Sequence, residues 1–346
     1  MIKIKLYDSD VHRNECAFRP YLWAQNFLKE VGIEFTQGDS YDYAWIAQAS
    51  IINKKVSLTE SVDTGLEYLS KVTGDYMLLD GQDSTSLIGT YEVFKESNAL
   101  LLLKNSLLAD RELYKQGSVL GRHYWGPGDY KLDDFDKYSD RIVLSGTNWL
   151  STHFAGVNVQ WYDYSRPKTY DISAMFQYPQ GVDVYEHGHL QSSHYDNHRE
   201  PMMDVLENLE HDHWINIAKL ENGVRVPIEE YYKKISDAGI LLAPFGYGEM
   251  APRDLDAIQF GSVLIKPDMS YVDTSPYIFE DGVTYIACKH DYSDLKEKIE
   301  YVLSDYLNIQ DRIVTAGRQI VEQEMHPENI VNHVYNIFKN LDGVSS

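Results

Sequence analysis

Residues 236–269 read SDAGILLAPFGYGEMAPRDLDAIQFGSVLIKPDM, and they constrain the fold more than any other part of the chain. Two strand-like apolar runs, 240–243 and 262–266, flank a glycine turn and a short helical pattern. A strand, a helix and a second strand in so few residues predict a parallel sheet with helical crossovers. In the turn, Gly246 and Gly248 allow backbone conformations closed to other residues and permit close approach of a ligand. A helix that starts after such a turn directs N–H groups and a positive dipole end toward it, which suits a phosphate. Arg253 adds a forked cation matched to a diphosphate. Asp256, three residues on, shares a helix face with Arg253 and is placed to accept hydrogen bonds from ribose hydroxyls. Tyr247 is positioned to stack on a base. The plainer reading of the same residues is a tight turn followed by a surface ion pair.

The order Gly246, Tyr247, Gly248, Glu249, Arg253, Asp254, Asp256, Ala257, Gly261 and Lys266-Pro-Asp-Met269 resembles the donor site of GT-B glycosyltransferases, in particular bacterial family-1-type and exostosin-like transferases. The likeness is good over 236–303, faint over 170–235 and almost absent before 150. Asp256 stands where these families usually carry glutamate, one methylene longer. The resemblance implies an α/β, GT-B-like fold of two Rossmann-like domains with a cleft between them. It implies an acceptor domain over 1–155, a donor domain over 170–322, and a last helix in 323–346 that crosses back. It also implies that Gly246, Tyr247, Gly248, Glu249, Arg253 and Asp256 bind a nucleotide-diphosphate sugar, a UDP- or GDP-sugar, with Arg199 meeting the diphosphate. The loop after the first strand, with Asp10, His12 and Arg13, is expected to meet a saccharide acceptor.

The strand pattern agrees with two α/β units. Candidate strands lie at 2–7, 33–35, 43–47, 76–79, 99–103 and 141–144, with helices at 20–31 and 58–71. After an aromatic linker at 151–170, a second cycle has strands at 172–176, 214–217, 240–243, 263–265 and 285–287. Its helices are expected at 200–209, 227–236, 293–305 and 327–341. Ligands in such sheets bind beyond the carboxyl ends of the strands. Asp80 and Asp83 follow the strand at 76–79, where a general base for an acceptor hydroxyl belongs. The alternative for this pair is an Asx turn. A sugar transfer with one such base is of the inverting kind.

Composition narrows the partners. A formal charge of −22 counts against nucleic acid or an anionic membrane as a bulk partner, and no basic stripe supports a phage-type DNA glucosyltransferase. Two cysteines, Cys16 and Cys288, are too few for a disulfide framework. The N-terminus reads as a strand rather than a leader, and the longest apolar run, 99–103, is far too short to span a membrane, so a cytoplasmic location is expected. Histidines 187, 189, 194, 198, 211 and 213 crowd one stretch without a recognised zinc spacing, so no metal and no cofactor beyond the donor are expected. A GT-B-like protein that binds nucleotide sugar or glycan without catalysis is the alternative function.

Overall fold

The computed structural model describes residues 1–8, 12–82, 84–116, 131–148, 150–151, 155, 159–176, 185–186, 189–190, 192–217, 226–246 and 248–344. Its core is two parallel sheets. The first contains β1 (Ile2–Tyr7), β2 (Ile33–Thr36), β3 (Tyr43–Ala47), β4 (Asp75–Asp80), β5 (Leu102–Lys104) and β7 (Ile142–Leu144), in the order β2-β1-β3-β4-β5-β7. The second contains β8 (Tyr170–Phe176), β11 (His213–Ile217), β12 (Ala238–Leu242), β13 (Val263–Pro267) and β15 (Ile286–Cys288), in the order β11-β8-β12-β13-β15. β3, β12 and β13 are almost wholly apolar because helices cover both faces of a parallel sheet.

Helices α1 (His12–Trp23), α2 (Gln25–Glu30), α3 (Gln48–Ile51), α4 (Leu58–Leu69) and α5 (Thr90–Glu96) pack on the first sheet. Helices α6 (Ser192–Glu207), α7 (Ile228–Ser236), α8 (Pro252–Phe260), α9 (Leu295–Ser304) and α10 (Tyr306–Glu324) belong to the second half. Pro20, expected in a first helical turn, instead lies inside α1. It supplies no N–H to the preceding turn, and the helix breaks shortly afterwards, at Ala24. The expected strand at 99–103 is shorter, because only Leu102–Lys104 pairs with β4 and β7. α10 has no counterpart among the expected elements.

The final helix, α11 (Pro327–Val344), buries Ile330, Val331, Val334, Ile337 and Phe338 in the same core as Ile4, Leu6, Trp45 and Met77 of the first sheet. Phe338 stacks on Trp45 with ring centroids 6.4 Å apart. A second tie joins the halves. β6 (Ser106–Leu108), from the first half, pairs antiparallel with β14 (Val272–Thr274), from the second. Asn148 Nδ2 donates to the Pro276 carbonyl at 2.9 Å, and Arg111 pairs with Asp273 at 2.8 Å. A short hairpin, β9 (Tyr185–Glu186) and β10 (His189–Leu190), lies between β8 and α6. Among the described residues, no helix is long and apolar enough to cross a membrane.

Candidate functional site

The second sheet changes direction at β8. From β8 the chain goes to β11 on one side, then returns to β12 on the other. The carboxyl ends of β8 and β12 therefore flank a switch-point crevice, the usual ligand position in such sheets. Arg199 and the glycine loop meet there. Arg199 lies over the ring of Phe176, the last residue of β8, at 5.9 Å. A Cβ placed on Gly246 would stand 3.5 Å from the Arg199 guanidinium. The absence of a side chain at 246 thus leaves the arginine beside the loop backbone. Arg199 was expected just before a helix but lies within α6, and only 4 % of it is exposed. Gly246 N–H donates to the Gly248 carbonyl at 3.1 Å, which closes the turn. Tyr247 lies outside the described residues.

α8 begins where its sequence says it should. Pro252 occupies the first turn, where a missing N–H costs nothing, and Gly261 ends the helix in the left-handed conformation at φ 75°. Asp254 modifies the expected phosphate-binding N-terminus. Its carboxylate accepts from Ala251 N–H at 3.0 Å and from Lys266 Nζ at 2.7 Å. The helix's positive end is therefore already served by its own acid. Lys266 and Asp254 are each 1 % exposed. Lys266 also donates to the Glu249 carbonyl at 2.9 Å and lies 4.3 Å from the Phe279 ring centroid. Burial pulls the Lys266 pKa below its usual value, and the Asp254 charge opposes that shift.

Arg253 is half-buried, and its Nη1 is buried without a hydrogen-bond partner among the described residues. A buried donor without an acceptor costs free energy until one is supplied. Asp256, one helical turn on, accepts from Tyr231 OH at 2.7 Å. Burial pushes the Asp256 carboxyl up to about 6, against the opposing pull of the Tyr231 hydrogen bond and the Arg253 charge. The Tyr231 hydroxyl is in turn held well above its usual range by burial and by Asp256. The back of α8 rests on α10, where a Cβ on Gly317 would come within 3.2 Å of Ile258. Arg318 Nη2 donates to the Tyr162 and Gln259 carbonyls at 2.7 and 3.1 Å, tying the aromatic linker to the same helix.

Glu249, expected at the donor site, contacts the first half of the chain. It is 1 % exposed, and its carboxylate accepts from Thr85 N–H at 3.1 Å and Thr85 Oγ1 at 3.0 Å. Thr85 belongs to the first half, in the loop after β4. Asp80, expected as a base, is fully buried and accepts from Lys104 Nζ at 3.1 Å. It also accepts from Gln82 N–H at 3.1 Å, the Asx-turn geometry. Both contacts fall on Oδ1, and Oδ2 is buried without a hydrogen-bond partner among the described residues. Asp83 and Asp10 lie outside the described residues, and His12 and Arg13 open α1. Asp8, at the end of β1, has φ 50° and accepts from Tyr68 OH at 2.5 Å. Among the described residues, no group of three or more His, Cys, Asp or Glu side chains is arranged to hold a metal ion.

Sequence reasoning passed over Thr85, Tyr231 and the loop-organising role of Lys266. Lys266 carried a signal, since a lysine inside the apolar run VLIK must find a partner when buried. Thr85 carried none.

No protein-family model matches the chain, and no curated protein is significantly similar to it in sequence. Solved structures are similar in shape. Sucrose-phosphate synthase from Thermosynechococcus elongatus matches with a TM-score of 0.51 at 10% identity, over 99% of this chain and 100% of that one. A glycosyltransferase from Rickettsia africae ESF-5 matches at 0.46 and 12% identity, over 98% of each chain. T4 phage BGT, in complex with UDP and Mn2+, matches at 0.48 and 10% identity, over 99% of this chain and 100% of that one. At these identities the likeness is one of fold. The chain has a GT-B-like fold, with two parallel α/β sheets of Rossmann-like topology.

Proposed function

We propose that this protein is a glycosyltransferase that moves a sugar from a nucleotide-diphosphate sugar to a hydroxyl acceptor. The observations that support this reading are the approach of Arg199 to Gly246 beside the second sheet's switch point and, at the start of α8, an Arg253 Nη1 with no hydrogen-bond partner among the described residues. Two guanidiniums there suit a diphosphate, and they supply the charge neutralisation that a metal supplies elsewhere. Asp256, held by Tyr231, takes the ribose hydroxyls. Tyr247 stacks on the base of a UDP- or GDP-sugar.

In the reaction an acceptor oxygen attacks the anomeric carbon and passes its proton to a first-domain carboxylate. Asp83 is assigned as that base ahead of Asp80, which lies nearer the strand and pairs with Lys104 through Oδ1. The bond from the anomeric carbon to the diphosphate breaks, and the charge of the leaving diphosphate falls on Arg199 and Arg253. Stabilisation of that charge does most of the catalysis. A single displacement of this kind inverts the anomeric centre. Asp10, His12 and Arg13 contribute to the acceptor side, which takes a saccharide.

The test is Arg253→Ala. Loss of one preorganised donor to a leaving anion lowers kcat/KM by about 10²-fold or more. The variant should also lose the thermal stabilisation that UDP or GDP gives the wild type. Unchanged kcat/KM refutes the donor site. The enclosure of Asp80 favours a second reading, a nucleotide-sugar-binding protein without catalysis. Release of UDP or GDP from a nucleotide sugar, by transfer or hydrolysis, excludes it.

A further inference from the structure

We propose that Glu249 is a positioning residue: its carboxylate holds the first-domain loop after β4 in register with the donor loop, and does not itself bind the donor. This rests on the donor-site reading above. Glu249 directly follows Gly248 of the donor loop, yet each of its carboxylate oxygens accepts from Thr85 of the other half. Oε2 accepts from Thr85 N–H and Oε1 from Thr85 Oγ1. Tyr271 OH reaches Oε1 at 3.4 Å. Thr85 is fully buried, and its carbonyl accepts from Tyr114 OH at 2.8 Å. The same Tyr114 oxygen accepts from Leu108 N–H at 3.1 Å. Leu108 ends β6 and pairs with Val272 of β14. Ala109 N–H then donates to the Tyr271 carbonyl at 2.8 Å. The path from Glu249 through Thr85, Tyr114 and β6 back to Tyr271 is a closed ring of polar contacts across the two halves, buried at Glu249 and Thr85 and half-buried at Tyr271.

On the donor side, Lys266 Nζ holds the Glu249 carbonyl, so the ring is anchored to the sheet. Moving Glu249 onto a sugar would strip a buried threonine N–H and hydroxyl of their acceptor. Catalysis across a cleft depends on distance between groups carried by separate domains. A shift of about 1 Å in such positioning can cost 10²-fold in rate. Disrupting the ring should therefore lower turnover while leaving nucleotide affinity intact.

The experiment compares Glu249→Gln, Thr85→Val and Thr85→Ser in the full chain. UDP and GDP affinity is measured by calorimetry, and kcat is measured as nucleotide release from UDP-glucose and GDP-mannose. Glu249→Gln and Thr85→Val should each lower kcat by about 10- to 100-fold. Their nucleotide Kd should stay within about twofold of wild type, since the positioned loop lies outside the donor contacts. Thr85→Ser, which keeps the hydroxyl, should restore turnover. The double variant Glu249→Gln/Thr85→Val should be no worse than Glu249→Gln alone. A weakened nucleotide Kd in Glu249→Gln with a normal Thr85→Val makes Glu249 a donor ligand and overturns the proposal, as does an unchanged kcat. If Glu249→Gln does not fold, the contrast of Thr85→Val with Thr85→Ser decides. A wild type that neither binds UDP or GDP nor releases them from a sugar refutes the donor-site reading itself, and the positioning role with it.

Discussion

Replacing Lys266 with methionine tests whether the donor loop is held by one buried ion pair. The side chain is 1 % exposed, as is its partner Asp254, 2.7 Å away. Methionine fits the apolar stem but leaves the Asp254 carboxylate buried without its cation. Breaking a buried pair on one side costs about 3–5 kcal/mol, chiefly the penalty of the stranded charge. The bond from Lys266 to the Glu249 carbonyl is lost as well. With urea slopes of about 1–3 kcal/mol/M, the unfolding midpoint should fall by roughly 2 M. That is a large share of a domain's usual stability of about 5–15 kcal/mol. Asp254→Asn removes the stranded charge while keeping an acceptor for Ala251 N–H. The double variant should therefore recover about 2 kcal/mol relative to the sum of the single changes. Urea denaturation followed by circular dichroism reads both numbers. A cost under about 1 kcal/mol for Lys266→Met, or strict additivity with Asp254→Asn, would refute the stranded-charge argument.

Two further outcomes follow from the same helix. Asp256 has a folded pKa of about 6 against an ordinary 3.8, so between these values the native state binds more protons than the unfolded state. Stability from this group is fully present below the lower value and is lost as pH rises through about 6, a change of roughly 3 kcal/mol. The stability difference between wild type and Asp256→Asn should therefore move against the wild type from pH 4 to 7, and a pH-independent difference contradicts the assignment. Gly261→Ala places a Cβ at φ 75° and 2.1 Å from Tyr164 Cβ. Positive φ alone costs about 1–3 kcal/mol, and displacing the linker adds to it, so a thermal midpoint equal to wild type would show that the linker does not pack on α8.

Local order along the chain settled much of the architecture before any contact was known. Apolar runs such as YAWIA and VLIKP mark buried parallel strands, because both faces of such a sheet are covered. Pro252 and Gly261 mark the two ends of α8, because one residue lacks an N–H and the other tolerates positive φ. The three-residue spacing of Arg253 and Asp256 puts them on one helix face by geometry alone. The stripe Ile309, Ile313, Gly317 and Val321 repeats every fourth residue in α10, but the glycine that lets Ile258 approach also interrupts the apolar pattern.

Only tertiary structure decided which acids are open and which are already engaged. Asp80 looked like a base at a strand end, and Lys104 from the neighbouring strand takes it. Glu249 looked like a donor ligand, and Thr85, 164 residues away, claims its carboxylate. Arg199 reaches Gly246 because β8 and β12 lie side by side in the sheet. A sequence specifies short-range periodicity and backbone permission directly. The pairing of buried charges depends on which strands become neighbours, and that is settled only when the whole chain has packed.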